Sequence, residues 1–272
     1  MKAFYYIFCK GAILLECGSH GKYTVPCKEQ MPVTLPEGTH TMQVAPFADG
    51  TEVWTTYIDN PESLLVIDET LKQNGYKLID LRESFNYLPL SLYLKAGKCE
   101  ELLYWDANTK YCGICGAPMK MATMISKRCT QCGKEVWPQL ATAIIVLIHK
   151  GDEVLLVHAK NFKGNFYGLV AGFVETGETL EEAVHREVRE ETGLTISNLR
   201  YFGSQPWPYP CGLMVGFNAD YLSGEVHLQR SELTGGRWFR RDNLPHLPQK
   251  LSIARQIIDA WLRKSEAQSK KE

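Results

Sequence analysis

The most constraining feature of this chain is a short stretch that predicts an amphipathic helix. Residues 172–194 read GFVETGETLEEAVHREVREETGL. Thr179 followed by Glu182 has the pattern of a capping box at a helix start, and Gly193 is suited to end the helix. Apolar side chains recur at helical spacing along one face, at Leu180, Ala183, Val184 and Val188.

Three glutamates lie on or beside this apolar face. At about 100° per residue, Glu187 and Glu191 project close to the direction of Leu180, and Glu190 lies on the nearest flank. Like charges three and four residues apart repel each other, and the negative end of the helix dipole adds to the cost. A divalent cation would offset this cost, and carboxylate oxygens are ligands that Mg²⁺ and Mn²⁺ prefer. The alternative is a solvated acidic face without a ligand.

The complete spacing of this stretch matches the Nudix box. Gly172 is followed by five residues, Glu178, seven residues, the pair Arg186–Glu187, and then by Glu190, Glu191 and Gly193 in their places. The chain therefore resembles the Nudix hydrolases. In that family the arginine orients the neighbouring glutamates through charge-assisted hydrogen bonds, which is the role that we expect for Arg186.

Four of the nine cysteines have the spacing of a metal site. Two C-x2-C pairs, Cys112 with Cys115 and Cys129 with Cys132, are separated by thirteen residues, and each pair is followed by glycine. This spacing predicts one structural zinc ion per chain, held by four thiolates in a closed site. The alternatives are two disulfides, unpaired core cysteines, or a ribbon that binds nucleic acid through the basic residues Lys120, Lys127, Arg128 and Lys134.

Composition limits the classes of partner and the location. The formal net charge of −1 argues against a broad surface for polyanions. The longest apolar run, Ala141–Ile148, is too short to span a membrane, and Lys10 interrupts the apolar N-terminus, so we expect neither a membrane span nor a signal peptide. The five remaining cysteines are scattered, which favours a reducing cytoplasm.

Turn signals and apolar runs predict three parts and a tail: residues 1–106, 107–137, 138–264 and 265–272. The first part carries strand-like runs and a short helix over Asn60–Gly75, and the second contains the cysteines. The third begins with the strand ATAIIVLI and ends with a helix capped by Ser252. The expected fold is an N-terminal α+β domain, a short zinc ribbon and a C-terminal α/β/α sandwich with a mixed sheet.

A proline-rich segment follows the box. Residues 204–210 read SQPWPYP, and the prolines bias the residues before them toward extended backbone, which displays Gln205, Trp207 and Tyr209 in alternation. Stiff aromatic side chains suit stacking on a planar ring. The alternative is a proline-rich turn anchored by a core tryptophan.

Together, the cysteine pairs, the box and this segment resemble the NADH pyrophosphatases, a Nudix subfamily with the signature SQPWPFP-x-Ser. Tyr209 replaces the signature phenylalanine, and Gly212 stands in place of the serine. The resemblance implies a metal site made of Glu187, Glu190, Glu191, Glu232 and the carbonyl of Ala171. It implies a substrate site made of Arg82, Trp137, Phe173, Gln205, Pro206, Trp207, Pro208, Tyr209, Pro210, Cys211, Gly212 and Ala254.

The resemblance also implies an activity. It implies Mg²⁺- or Mn²⁺-dependent hydrolysis of the pyrophosphate of NADH or NAD⁺ to NMN(H) and AMP, with Glu190 or Glu191 as the base, and removal of NAD caps from RNA 5′ ends. It further implies a homodimer. The alternatives are a Nudix hydrolase of another dinucleotide such as ADP-ribose, and a non-catalytic zinc-ribbon module that binds nucleotides.

Overall fold

Two compact units make up the chain. The computed structural model describes residues 1–18, 22–58, 75–162 and 164–269. The first unit comprises Met1–Gln139 and Pro208–Cys211, and the second comprises Leu140–Trp207 and Gly212–Glu272. The helix expected over residues 60–75 falls almost wholly on residues outside the described part of the chain.

The first unit contains a mixed sheet. Its described strands are β1 (Ala3–Cys9), β2 (Ala12–Cys17), β3 (Tyr23–Thr24), β4 (Cys27–Lys28), β5 (Thr41–Val44), β6 (Glu52–Tyr57) and β7 (Tyr76–Asp80). The long strands β1 and β2 form a hairpin around Lys10 and Gly11, whose φ angles of 48° and 78° suit a tight turn. Strand β6 pairs with β1 in parallel, and β7 pairs with β2.

Helix α1 (Leu90–Asn108) also belongs to the first unit and was not predicted from the sequence. Apolar side chains occur on more than one of its faces, since Tyr93 and Leu102 are buried whereas Leu90 and Leu94 are exposed. Gly97, a residue with low helix propensity, lies near the centre of the helix. The single-sided pattern by which a surface helix is recognised is therefore missing.

The cysteine segment forms a small antiparallel sheet in the order β10-β9-β8, with β8 (Met119–Thr123), β9 (Ser126–Cys129) and β10 (Glu135–Val136). Lys127, which the sequence offered as part of a basic patch, is only 4% exposed. Its ammonium group lies 2.8 Å from a carboxylate oxygen of Asp106 and donates to the backbone carbonyls of Asp106 and Thr109. This lysine therefore fastens the ribbon to the end of α1 and is not free to bind a polyanion.

The second unit is built on a mixed sheet of the strands β11 (Ala141–Lys150), β12 (Glu153–Ala159), β13 (Val170–Phe173), β14 (Thr195–Trp207), β15 (Gly212–Ser223) and β16 (Leu233–Arg240). Their order in the sheet is β14-β15-β11-β12-β16, with β13 paired to β11. Strands β11 and β15 are parallel, and the other pairs are antiparallel.

Strand β11 explains why this sheet is covered on both faces. Ile144 and Val146 pack into one core with residues of helix α2 (Leu180–Thr192), whereas Ile145 and Leu147 pack into another with residues of helix α3 (Ile253–Ser269). Alternate side chains of a strand point to opposite faces, so a run of apolar residues buries both faces. The α/β/α sandwich with a mixed sheet that the sequence predicts is thereby confirmed.

Residues 204–207 have the extended backbone expected for the proline-rich segment: they belong to strand β14 and pair with β15, so only Pro208–Cys211 forms the turn between the two strands. Helix α3 continues to Ser269, past Ser265, where the expected tail begins. No helix in the described ranges has both the length and the apolar character needed to cross a lipid bilayer.

The central position of β11 gives a stability prediction. Leu147 is 0% exposed, so Leu147→Ala should lower the free energy of unfolding by about 2 to 5 kcal/mol through lost burial and a residual cavity. Leu222→Ala is the matched control, because Leu222 is 59% exposed in the same sheet and should change the value by less than about 0.5 kcal/mol. Urea denaturation followed by circular dichroism measures both, and equal midpoints would contradict this packing.

Candidate active site

Helix α2 begins and ends where the sequence predicts. The Thr179 hydroxyl accepts a hydrogen bond from the backbone N–H of Glu182 at 3.2 Å, and the Glu182 carboxylate accepts from the backbone N–H of Thr179 at 2.8 Å. Gly193 ends the helix with φ 72°. The expected capping box and glycine stop are confirmed, and they fix which helical turn carries each box glutamate.

Arg186 joins the helix to the loop before it. Its guanidinium donates to both carboxylate oxygens of Glu178, at 2.6 and 2.9 Å, and to the carbonyl of Phe173 at 2.9 Å. Hydrogen bonds from Arg186 lower the pKa of Glu178 to about 2, so this carboxylate stays charged. A bidentate pair of this kind fixes direction as well as distance.

The same guanidinium also holds two box glutamates. It donates to Glu187 at 2.8 Å and to Glu190 at 3.2 Å. The Glu187 carboxylate lies against the backbone of Gly172, where an added Cβ atom would be only 2.0 Å from the Cδ atom of Glu187. Glycine at position 172 therefore makes room for the carboxylate.

Glu191 is the most unfavourably placed charge in this cluster. The residue is 4% exposed, and its buried Oε2 atom has no hydrogen-bond partner among the described residues. Burial raises the pKa of this carboxyl to about 8, with further contributions from the charges of Glu187, Glu232 and Glu190. Burial also raises the pKa of Glu187, in spite of its bond to Arg186. The described surroundings of Glu191 thus disfavour its charged form.

Two further residues of the expected metal site lie beside these glutamates. Glu232 is exposed on the segment before β16, and its charge raises the pKa of both Glu187 and Glu191. Ala171 pairs with Ile145 in the sheet and immediately precedes Gly172. The box carboxylates do not converge as closely as the cysteines do. Among the described residues, only the four cysteines form a group of three or more ligand atoms that all lie within 4.8 Å of one another.

The four cysteines predicted to bind a metal converge. Their Sγ atoms all lie within 4.8 Å of one another, with Cys112 and Cys132 at 3.6 Å and Cys115 and Cys129 at 3.5 Å. These distances are far longer than the bond of about 2.05 Å in a disulfide, and the cysteines are free. The geometry fits a closed four-thiolate site in a zinc ribbon.

Backbone amides prepare this cluster for thiolates. The N–H group of Ile114 donates to the sulfur of Cys112, and the N–H groups of Gln131 and Cys132 donate to that of Cys129, each at 3.4 Å. The latter two lower the pKa of Cys129 to about 6. The turns depend on the glycines after each pair, at positions 116 and 133, whose φ angles are 74° and 75°.

Several residues of the expected substrate site lie in the second unit. Gln205 donates from its amide to the carbonyl of Leu251 at 2.9 Å and accepts from the N–H of Ile253 at 2.7 Å, so it caps the start of α3 beside the buried Ala254. A Cβ atom at Gly212 would lie 3.0 Å from the carbonyl oxygen of Trp207, which leaves little room for a serine. Phe173 is 65% exposed at the end of β13, Pro206 is exposed, and Trp207 is half-buried.

The remaining residues of that set lie in the first unit. Trp137 is 55% exposed. The guanidinium carbon of Arg82 lies 4.4 Å from the ring centre of Tyr209, and Pro208 is buried. Pro210 is exposed and Cys211 half-buried, and the Tyr209–Pro210 peptide bond is cis. The structure thus brings Arg82 and Tyr209 together, while Trp137 presents its ring to solvent.

Two residues make contacts that were not predicted from the sequence. Glu178 was read only as a box position, although an acidic residue eight positions before Arg186 could have suggested a pair. Tyr93 contacts Tyr209 across 116 positions of sequence, and no local pattern signals such a contact.

The buried carboxylate gives a pH prediction for protein without added Mg²⁺ or Mn²⁺. The folded pKa of Glu191 is about 8, above the unfolded value of about 4.3, so the native state binds the extra proton. Stability from this group is complete below the unfolded pKa and is lost as pH rises toward 8. The melting temperature of wild type should therefore fall more between pH 5 and pH 8 than that of Glu191→Gln.

Glu181→Gln is the control for this comparison, because Glu181 is an exposed glutamate on the same helix. Its melting temperature should follow that of wild type at every pH. Parallel curves for wild type and Glu191→Gln would show that Glu191 titrates normally.

Comparison with known proteins identifies the family. The NUDIX domain family matches residues 137–262. The NAD-capped RNA hydrolase NudC of Pseudomonas aeruginosa is 40% identical over 203 residues, covering 74% of this chain and 73% of that protein. The protein of the same name from Haemophilus influenzae is 48% identical over 175 residues, covering 62% of this chain and 66% of that protein.

A solved structure agrees at the level of the fold. The NUDIX hydrolase from Nitrosomonas europaea superposes with a TM-score of 0.51 at 18% identity, covering 58% of this chain and 93% of that chain. The box geometry, the matched domain and the identity to curated relatives all point to one family. The chain belongs to the Nudix hydrolases, in the group whose relatives carry the name NAD-capped RNA hydrolase NudC.

Proposed function

We propose that this chain hydrolyses the pyrophosphate bond of NADH or NAD⁺ to give NMN(H) and AMP, and that it removes NAD caps from RNA 5′ ends. One observation carries the proposal: the buried Glu191 carboxylate, whose Oε2 atom has no hydrogen-bond partner among the described residues, lies beside Glu187 and Glu232 in a chain 40% identical to a relative named for NAD-cap hydrolysis. A cluster of this charge needs a cation, and a Nudix hydrolase uses one on a pyrophosphate.

The acidic residues fit a divalent cation. Glu187, Glu190, Glu191 and Glu232 would hold Mg²⁺ or Mn²⁺, together with the carbonyl of Ala171, because these are all hard oxygen ligands. Such a cation neutralises phosphate charge and lowers the pKa of an attacking water molecule. Arg186 restrains two of the carboxylates, so the ligands are oriented before the substrate arrives.

For the substrate, we propose that a planar ring is recognised by stacking. Trp137 in the first unit and Phe173 in the second unit each expose an aromatic ring that can make a contact of this kind. The segment 205–212 and Ala254 would border the nucleotide, with Gln205 shaping this border by capping α3. The kcat/KM of Phe173→Ala should fall mainly through a higher KM, with little change in kcat, because stacking stabilises the ground state and the transition state alike.

We further propose that the four-cysteine cluster holds one zinc ion per chain and that the protein is a homodimer. We propose a cytoplasmic location, because a thiolate cluster remains reduced there. For capped RNA, contacts would be confined to the 5′ end, since the net charge of −1 offers little attraction along a phosphate backbone.

Removal of single carboxylates tests the catalytic cation. Glu187→Gln and Glu191→Gln should each lower kcat for NADH at least about a hundredfold, because each loses a charged ligand. Circular dichroism should show an intact fold. Glu181→Gln should keep wild-type kcat, and near-normal turnover in both ligand variants would refute the assignment.

Metal analysis of the purified protein tests the zinc ribbon. Wild type should contain one equivalent of zinc, and Cys115→Ser should lose it together with part of the thermal stability, because the ribbon has few buried side chains of its own. Cys17→Ser replaces another exposed cysteine and should retain the zinc. Wild type that folds normally without zinc would overturn this part of the proposal.

Product analysis tests the substrate. With Mn²⁺ or Mg²⁺, chromatography should reveal NMNH and AMP from NADH, with much slower cleavage of ADP-ribose at equal concentration. NAD-capped RNA should release NMN and leave a 5′-monophosphate. Preferred cleavage of ADP-ribose would retain Nudix chemistry but contradict the NAD(H) assignment.

A further inference from the structure

The turn formed by Pro208–Cys211 packs closely against helix α1 within the first unit. Gly97 lies near the middle of this helix, where glycine is a poor helix former. A Cβ atom at Gly97 would lie 2.9 Å from Cγ of Pro208, and a proline ring cannot rotate aside. Glycine at position 97 therefore permits the approach of the turn.

One helical turn earlier, the same face of α1 makes a polar contact with the turn. The hydroxyl oxygens of Tyr93 and Tyr209 lie 2.8 Å apart, and either group can donate. Tyr93 is 3% exposed, and burial raises the pKa of both phenols, so both remain protonated and able to hydrogen-bond. Tyr93 and Gly97 are four residues apart and therefore lie on the same face of α1. On this face Tyr93 provides a hydroxyl group, and Gly97 leaves space for the ring of Pro208.

Arg82 contacts the aromatic ring of Tyr209. Its guanidinium carbon lies 4.4 Å from the ring centre, a distance that suits a cation–π interaction. The backbone N–H of Arg82 donates to the Asp80 carboxylate at 2.9 Å, and the ring of Phe85 meets Tyr93 edge-on at 5.4 Å. Tyr209 is therefore contacted by two separate segments of the first unit.

We propose that Tyr93 is a positioning residue for the turn at Pro208–Cys211, acting through the Tyr209 hydroxyl, and that Tyr209 anchors the turn instead of contacting the substrate. This inference rests on the proposed function, in which segment 205–212 borders the nucleotide. It assigns the two residues that flank the turn, Trp207 and Gly212, to substrate specificity, and the turn itself to anchorage. Arg82 likewise serves the turn through the ring of Tyr209.

The pairing of two hydroxyls in a largely buried place has a measurable consequence. Tyr209→Phe leaves the buried Tyr93 hydroxyl without this partner, whereas Tyr93→Phe leaves Tyr209 with its contact to Arg82. Both substitutions break the same hydroxyl–hydroxyl contact, so their effects should not add. A hydroxyl that contacted the substrate independently of Tyr93 would give additive effects.

A double-mutant cycle tests the proposal. We expect Tyr93→Phe and Tyr209→Phe each to raise KM for NADH about fivefold or more with little change in kcat, because the turn loses its fixed conformation. The double variant should raise KM no further than Tyr209→Phe does alone, because both single substitutions break the same contact. Tyr104→Phe, which removes a hydroxyl from an exposed residue of the same helix, is the control and should match wild type.

Hydrogen exchange gives a readout that does not require turnover. Each single variant should exchange faster than wild type in the peptide that covers residues 206–213, and the double variant should exchange no faster than the faster single variant. If wild type does not cleave NADH, the proposed function fails, yet this measurement still tests the positioning role.

Two results would overturn the inference. Additive increases of KM in the double variant would assign the Tyr209 hydroxyl to the substrate, independently of Tyr93. Single variants with both wild-type KM and wild-type exchange would show that the pair does not position the turn.

Discussion

The carboxylate of Glu191 is the constraint on which the candidate active site depends. It is buried, one of its oxygens has no hydrogen-bond partner among the described residues, and three other glutamates surround it. A fold keeps such a group only if neighbouring interactions hold it in place. The capping box sets the position of helix α2, Gly172 makes room for the Glu187 carboxylate, and Arg186 ties the helix to Glu178.

The rest of the second unit gives this helix a rigid support. Strand β11 sends alternate side chains into the two cores, so α2 and α3 pack on opposite faces of one sheet. Gln205 joins the end of β14 to the first turn of α3. In the first unit, polar contacts hold separate segments together. Lys127 binds the cysteine ribbon to α1 through Asp106, and Tyr93 hydrogen-bonds to Tyr209 in the turn.

Local patterns predicted what local forces determine. The limits of helix α2 and the convergence of Cys112, Cys115, Cys129 and Cys132 follow from caps, glycines and spacing within about twenty residues. Helix α1 escaped prediction because its apolar residues occur on several faces around Gly97, and only the proximity of Pro208 explains that glycine. Lys127 looked like a solvated charge because its partner, Asp106, lies 21 positions earlier. Contacts of this range are set by tertiary packing, which spacing does not reveal.

The most direct measurement is a titration of the purified protein with Mn²⁺, in which electron paramagnetic resonance measures bound Mn²⁺ and the same samples are assayed for NADH cleavage. The carboxylate cluster around the buried Glu191 predicts that cleavage rises in proportion to bound Mn²⁺ and that Glu191→Gln loses both together. Cleavage without bound Mn²⁺, or undiminished Mn²⁺ binding by Glu191→Gln, would contradict the account.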